Sequence, residues 1–135
     1  MIVTHKVGTT PDSFESLLST STDFLVEEAK KTPNYFHGRT GLEFEEDVFG
    51  ALDTVAKGSI FENSIELISG HKFPDLVVED IYGVEVKTNQ KDNWKSTGNS
   101  VLESTRIESV ESIYLFFARL KGPIQFMFRP YQDCL

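Results

Sequence analysis

The residues of this sequence best suited to chemistry are two carboxylates and one amine that follow each other closely along the chain. Asp75 lies in one strand-like stretch, and Glu85 and Lys87 lie in the next one, separated by a single residue. Because side chains alternate across a strand, Glu85 and Lys87 share a face. Neighbouring carboxylates bind hard divalent cations such as Mg²⁺ through oxygen. An amine beside such a site can stabilise negative charge that develops on a bound phosphate.

A third carboxylate, Glu45, departs from the pattern of the helix that carries it. Thr40 and Glu43 form a capping box at the start of this helix, and Gly58 is placed to end it after Lys57. Glu45 lies in the middle of the apolar half of the helix, where it could hold a second metal ion or a water molecule. The apolar half contains Leu42, Phe44, Val48, Phe49, Ala51, Leu52, Val55 and Ala56.

The elements around these residues predict an α/β domain. Thr10 and Pro11 begin a helix that runs to about Lys31, with a possible break at residues 19–22 and a stop at Pro33. Residues 34–39 are predicted as a loop. Strands are predicted at residues 64–69, 73–79 and 84–88, the last two joined in a hairpin through residues 80–83, then a helix at 100–111 and strands at 113–119 and 124–129.

Three short segments carry a resemblance to a known family. They are Gly41-Leu42-Glu43-Phe44-Glu45, Phe73-Pro74-Asp75 and Gly83-Val84-Glu85-Val86-Lys87, which together resemble the PD-(D/E)xK nuclease superfamily. The predicted order of elements is similar to its restriction-endonuclease-like core, αβββαβ with a mixed sheet flanked by helices. The chain length indicates one domain over residues 1–135. The resemblance implies that its core is residues 40–129, preceded by an N-terminal helical extension at 1–39.

The resemblance also implies a role for each residue of the site. Asp75 and Glu85 would bind Mg²⁺, with Mn²⁺ as a substitute, Lys87 would be the catalytic lysine, and Glu45 would be the accessory carboxylate. The implied substrate is double-stranded DNA, cut by a type II restriction endonuclease or its catalytic fragment. A homodimer is the implied assembly, and the part that recognises the target would be separate or missing.

The segment from Trp94 to Arg106 resembles the stretch that follows the E-x-K strand in some type II restriction endonucleases. A basic loop with an aromatic residue can bind nucleic acid, and helix N-termini attract phosphate. Two readings stay open here: Trp94 could stack on a base or anchor its loop to the core, and Ser100 could contact phosphate or be a plain N-cap. The predicted DNA-binding residues are Lys91, Trp94, Lys95, Asn99, Ser100 and Arg106.

Alternatives to the metal site remain at this stage. Glu85 and Lys87 alone are typical of a solvated strand face, and Glu45 alone could be a carboxylate at the margin of the core. Two other functions are also open, a repair or recombination nuclease of the same fold and a non-catalytic acidic binding protein that has kept the fold.

Composition limits these functions without choosing among them. The formal net charge is −8, but residues 1–86 hold six Lys or Arg against sixteen Asp or Glu, whereas residues 87–135 hold seven against five. A bound cation would offset part of the acidic charge. The single cysteine, Cys134, cannot form an internal disulfide, and no apolar run approaches the length of a membrane span. A cytoplasmic protein is therefore expected.

Overall fold

The structure is a computed structural model that describes residues 9–68, 74–89 and 110–131. It contains three helices, α1 (Pro11–Lys31), α2 (Pro33–His37) and α3 (Gly41–Ala56), within these ranges. They precede five strands, β1 (Ile65–Leu67), β2 (Leu76–Val78), β3 (Tyr82–Asn89), β4 (Ser112–Arg119) and β5 (Gln125–Pro130). No helix in the described ranges is both long enough and apolar enough to span a lipid bilayer.

Helix α1 corrects one expectation, because it runs without the break predicted at residues 19–22. Ser21 is buried on its inner face, and the hydroxyl of Thr22 donates to the carbonyl of Leu18 at 2.7 Å. This bond satisfies the Thr22 hydroxyl within the helix, whereas the buried Ser21 hydroxyl has no hydrogen-bond partner among the described residues. The helix continues through this polar run because Ser21 faces the core together with Leu17, Leu18 and Leu25. The predicted start is confirmed, since Thr10 accepts from the backbone N–H of Ser13.

The short helix α2 corrects a second expectation, since residues 34–39 were predicted as a loop. Pro33 opens this helix instead of only ending α1, because proline fits the first helical position. Arg39 then ties the segment to α3: its Nε donates to Asp47 Oδ2 at 2.9 Å, and its guanidinium lies 4.7 Å from the ring centroid of Tyr35.

Helix α3 begins and ends as the sequence predicts. Thr40 accepts from the N–H of Glu43, the Glu43 side chain accepts from the N–H of Thr40, and Gly58 follows the helix with a φ of +81°. Leu42 was placed on the apolar half but is 76% exposed. The first turn itself is not outside the core, because Phe44 in the same turn is fully buried, so Leu42 lies on the outer side of the helix.

The five strands form one mixed sheet in the order β1-β2-β3-β4-β5. Strands β3 and β4 are parallel, and the other neighbouring pairs are antiparallel. The predicted hairpin between β2 and β3 is present, but its turn comprises residues 79–81 and not 80–83, because Tyr82 and Gly83 already pair with β2. Glu79 and Asp80 in this turn have φ values of +54° and +60°. The N–H of Ile81 donates to the carbonyl of Val78 at 3.2 Å, as in a type I′ turn. The architecture is therefore α/β, with helices packed on a five-stranded mixed sheet.

The two faces of the sheet carry different side chains. Val84 and Val86 of β3 belong to the main core with Phe44, Val48 and Leu52 of α3. The opposite face carries a smaller apolar cluster that includes Val77, Leu115 and Phe117. Because side chains alternate, Glu85 and Lys87 lie on this second face, directly opposite Leu115 and Phe117 in the parallel register.

One predicted helix falls mostly outside the described residues. It was expected at residues 100–111, and of these only Val110 and Glu111 are described, in neither helix nor strand.

Candidate metal centre

Asp75 lies at the point where β2 separates from β3. The pairing of these strands ends at Leu76 opposite Val84. Beyond that pair, Oδ2 of Asp75 accepts a hydrogen bond from the backbone N–H of Val86 at 2.8 Å. The backbone carbonyl of Asp75 accepts from Ile68 N–H, also at 2.8 Å. The main chain of Asp75 thus stays hydrogen-bonded to Ile68, the residue after β1. Its carboxylate lies on the other side, against the backbone of β3.

Glu85 lies beside this carboxylate, and the environment of both groups disfavours their charged forms. Burial raises the pKa of Glu85 to about 7, and the negative charge of Asp75 adds to the effect. Burial also raises the pKa of Asp75, although the hydrogen bonds from Val86 and Glu85 act in the opposite direction. Oε1 of Glu85 is buried and has no hydrogen-bond partner among the described residues. Two carboxyl groups therefore converge as the hairpin predicts.

Lys87 supplies the positive charge at this site. Its Nζ lies 3.5 Å from Oε2 of Glu85, and its side chain is 29% exposed, compared with 13% for Glu85. The ammonium lowers the pKa of Asp75, Glu85 and Glu45, but burial outweighs it at each. One lysine does not neutralise the group, so the centre retains an excess of negative charge when its carboxyls ionise.

Glu45 approaches the site from a different side. Helix α3 packs on the main-core face of the sheet, whereas Glu85 and Lys87 lie on the other face. Burial raises the pKa of Glu45 to about 7, with a further contribution from the negative charge of Asp75. Asp75 is thus the carboxylate whose negative charge acts on both Glu45 and Glu85.

The residues of this centre suit a magnesium ion held by two protein ligands. Within residues 9–68, 74–89 and 110–131, no three His, Cys, Asp or Glu side chains are grouped closely enough to hold a metal ion. Glu45 is therefore not at ligand distance together with Asp75 and Glu85. Mg²⁺ commonly binds one or two carboxylates and takes its remaining ligands from water and phosphate. The unpartnered Oε1 of Glu85 and the all-oxygen donor set fit such an ion.

The predicted DNA-binding residues lie outside the part of the chain that the structure describes. They are Lys91, Trp94, Lys95, Asn99, Ser100 and Arg106. The sequence reasoning also missed one group of the centre, the backbone N–H of Val86 that binds Asp75. A main-chain donor has no side-chain signature, and its role depends on where the strand pairing ends.

Comparison with protein families, with curated proteins and with solved structures finds no match to this chain.

Proposed function

We propose that this protein is a Mg²⁺-dependent endonuclease of the PD-(D/E)xK kind that hydrolyses phosphodiester bonds of double-stranded DNA. The observation that carries the proposal is the convergence of Asp75, Glu85 and Lys87 where β2 separates from β3. Burial makes an ionised carboxylate pair costly, and such costs concentrate at functional sites. As part of the same proposal, the α/β fold of this chain is a restriction-endonuclease-like core with the element order αβββαβ.

Each side chain has a distinct task in this mechanism. Asp75 and Glu85 hold the cation, and the N–H of Val86 keeps the Asp75 carboxylate in place. When bound, the cation polarises a phosphoryl oxygen and lowers the pKa of water. Lys87 donates to a phosphate oxygen and stabilises the charge that develops there. Glu45 holds a water molecule on the α3 side of the gap.

The proposed assembly is a homodimer of restriction type, since cutting two strands is most simply done by two symmetry-related centres. Mn²⁺ would replace Mg²⁺, because it also takes oxygen ligands. Recognition of the target sequence belongs to residues other than those described, including the basic segment from Lys91 to Arg106, or to a separate domain.

The proposal is tested by incubating supercoiled plasmid with Mg²⁺ and the native chain, Asp75→Asn or Asp80→Asn. Asp80 is a matched control because it lies exposed at the hairpin turn, where Asn also tolerates positive φ. We expect cleavage by the native chain and by Asp80→Asn, and a loss of about a hundredfold or more in Asp75→Asn. Cleavage that persists in Asp75→Asn would exclude this centre as the source of activity.

The role of Lys87 is tested separately with Lys87→Met, using Lys57→Met as the exposed control. We expect Lys87→Met to lose cleavage and keep Mg²⁺ binding, because the ammonium acts on the phosphate and not on the cation. A parallel substrate panel separates the alternatives. Cleavage of branched junctions but not of linear duplex would favour a repair or recombination nuclease, and absence of both Mg²⁺ binding and cleavage would favour a non-catalytic binding protein.

A further inference from the structure

The ring of Pro74 packs against Gly83 on the second face of the sheet, next to the candidate metal centre. A Cβ atom added at Gly83 would lie 2.6 Å from Cγ of Pro74 and 3.3 Å from its Cβ. Contacts below about 3.0 Å do not occur for real Cβ atoms, so any larger residue at position 83 would force a shift. Pro74 is fully buried, and its closed ring cannot rotate away as a flexible side chain would.

This contact bends the chain at Asp75. In a continuous ladder, the register of Leu76 with Val84 would place residue 74 opposite Val86. Gly83 is three residues away from Val86, which is about 10 Å along a strand. Pro74 instead lies over Gly83, so the chain turns back across the sheet immediately before β2.

The bend explains why a side chain, and not a backbone carbonyl, binds Val86. Once residue 74 has left its ladder position, the N–H of Val86 has no main-chain partner on β2. The carboxylate of the next residue, Asp75, takes that place at 2.8 Å. A buried N–H without an acceptor would be costly, so the bend and the hydrogen bond stabilise each other.

We propose that Gly83 is a positioning residue of the metal centre: its missing side chain admits the Pro74 ring, which sets the Asp75 carboxylate on the N–H of Val86. The consequence for Mg²⁺ rests on the proposed function, whereas the placement of Asp75 does not. The φ of Gly83 lies outside the left-handed region, so space and not backbone conformation accounts for glycine here. Val110 is a second neighbour, with Cγ1 at 3.0 Å from the added Cβ, and the experiment has to separate its contribution.

The experiment is a double-mutant cycle of Gly83→Ala with Pro74→Ala, read by hydrogen exchange at the Val86 amide. The amide of Phe116 in β4 serves as the internal reference for global opening. Pro74→Ala removes Cγ, the nearest atom, and leaves Cβ of residue 74 at 3.3 Å and Cγ1 of Val110 at 3.0 Å, so it relieves the clash with the ring and keeps the contact with Val110. Gly50→Ala is the matched control, because an added Cβ there meets no atom within 4 Å.

With Pro74 present, we expect Gly83→Ala to speed exchange at Val86 about tenfold or more relative to Phe116, and to lower Mg²⁺ affinity about tenfold. In the Pro74→Ala background the same substitution should change either quantity by less than about threefold, since coupled neighbours are not additive. Gly50→Ala should change neither quantity.

Equal effects of Gly83→Ala in both backgrounds would overturn the proposal, because they would assign the effect to Val110 or to general destabilisation. Unchanged exchange at Val86 would overturn it as well. If the native chain binds no Mg²⁺ but Val86 responds as expected, the positioning role stands and the nuclease proposal fails. If Mg²⁺ binds and neither readout responds to Gly83→Ala, the nuclease proposal stands and the positioning role fails.

Discussion

At the scale of single residues, the carboxyl groups of Glu45, Asp75 and Glu85 share the charge of Lys87 where β2 separates from β3. Burial raises the pKa of Glu45 and of Glu85 to about 7, and the charge of Asp75 adds to both shifts. Lys87 contacts Glu85 at 3.5 Å and offsets only part of this effect. A purely structural ion pair would match its charges, so the excess of carboxylates favours a site that binds a cation.

Because burial disfavours the charged form of Glu85, we can predict how Glu85→Gln changes the stability of the metal-free protein. The raised pKa of Glu85 means that the folded chain binds more protons than the unfolded chain between about pH 4.5 and 7, so native stability falls as pH rises through that window. Glutamine does not ionise, so the substitution removes this loss of stability. We therefore expect Glu85→Gln to equal the native chain near pH 4 and to exceed it at pH 8 in free energy of unfolding.

The gain at pH 8 should be on the order of 1–2 kcal/mol, because solvent screening reduces the upper limit of about 3 kcal/mol set by the pKa. Urea unfolding in the presence of a chelator measures it. Glu66→Gln, on the exposed part of β1, is the control and should show no comparable difference between the two pH values. If Glu85→Gln is no more stable than the native chain at pH 8, ionisation of Glu85 does not destabilise the fold and the prediction is wrong.

At the scale of elements, α3 and the β2–β3 hairpin bring the centre together. The capping box of Thr40 and Glu43 determines where α3 begins and thereby the height of Glu45 above the sheet. The turn at residues 79–81 determines the register that pairs Val78 with Tyr82 and brings Asp75 next to β3. The capping box and the turn each involve residues that are close in sequence. The position of the Asp75 carboxylate depends instead on how the hairpin packs.

Two glycines, Gly50 inside α3 and Gly58 just after it, should respond in opposite ways to alanine. Gly50 is inside the helix with open space around it, so Gly50→Ala should stabilise the protein by about 0.5–1 kcal/mol through helix propensity. Gly58 ends the helix at a φ of +81°, so Gly58→Ala should cost about 1–2 kcal/mol. Urea unfolding of the pair measures both effects. A neutral Gly58→Ala would show that this residue does not need the left-handed conformation.

At the scale of the whole molecule, the charge distribution separates the centre from the predicted DNA contacts. The acidic excess lies in residues 1–86, and the net positive part of the chain follows from Lys87 onward. A cation bound to Asp75 and Glu85 would reduce the repulsion between the acidic part and a phosphate backbone. Metal binding and DNA binding should therefore reinforce each other.

Binding of Mg²⁺ to the folded chain should raise its thermal stability. At a concentration about tenfold above the dissociation constant, a ligand that binds only the folded state stabilises it by about 1.4 kcal/mol. For a chain of this length that corresponds to a rise in Tm of about 5 °C. Scanning calorimetry should show the rise in the native chain and in Asp80→Asn, at constant ionic strength. The same rise in Asp75→Asn would contradict binding at this centre.

The sequence by itself determined the local signals of this fold. The caps at Thr10, Thr40 and Gly58, the hairpin between β2 and β3, and the shared face of Glu85 and Lys87 all follow from periodicity and turn chemistry. It failed at residues 19–22, where Ser21 packs into the core and Thr22 bonds to the helix backbone, and at α2, where Pro33 fits a helix start.

Only the tertiary structure decided how the carboxyls meet. Strand alternation predicts which side chains share a face, but it does not predict that β2 separates from β3 at Asp75 or that the N–H of Val86 receives its carboxylate. Nor does it place Glu45 on the opposite side of the sheet. These features depend on contacts such as that of Pro74 with Gly83, which join residues whose packing no local pattern encodes.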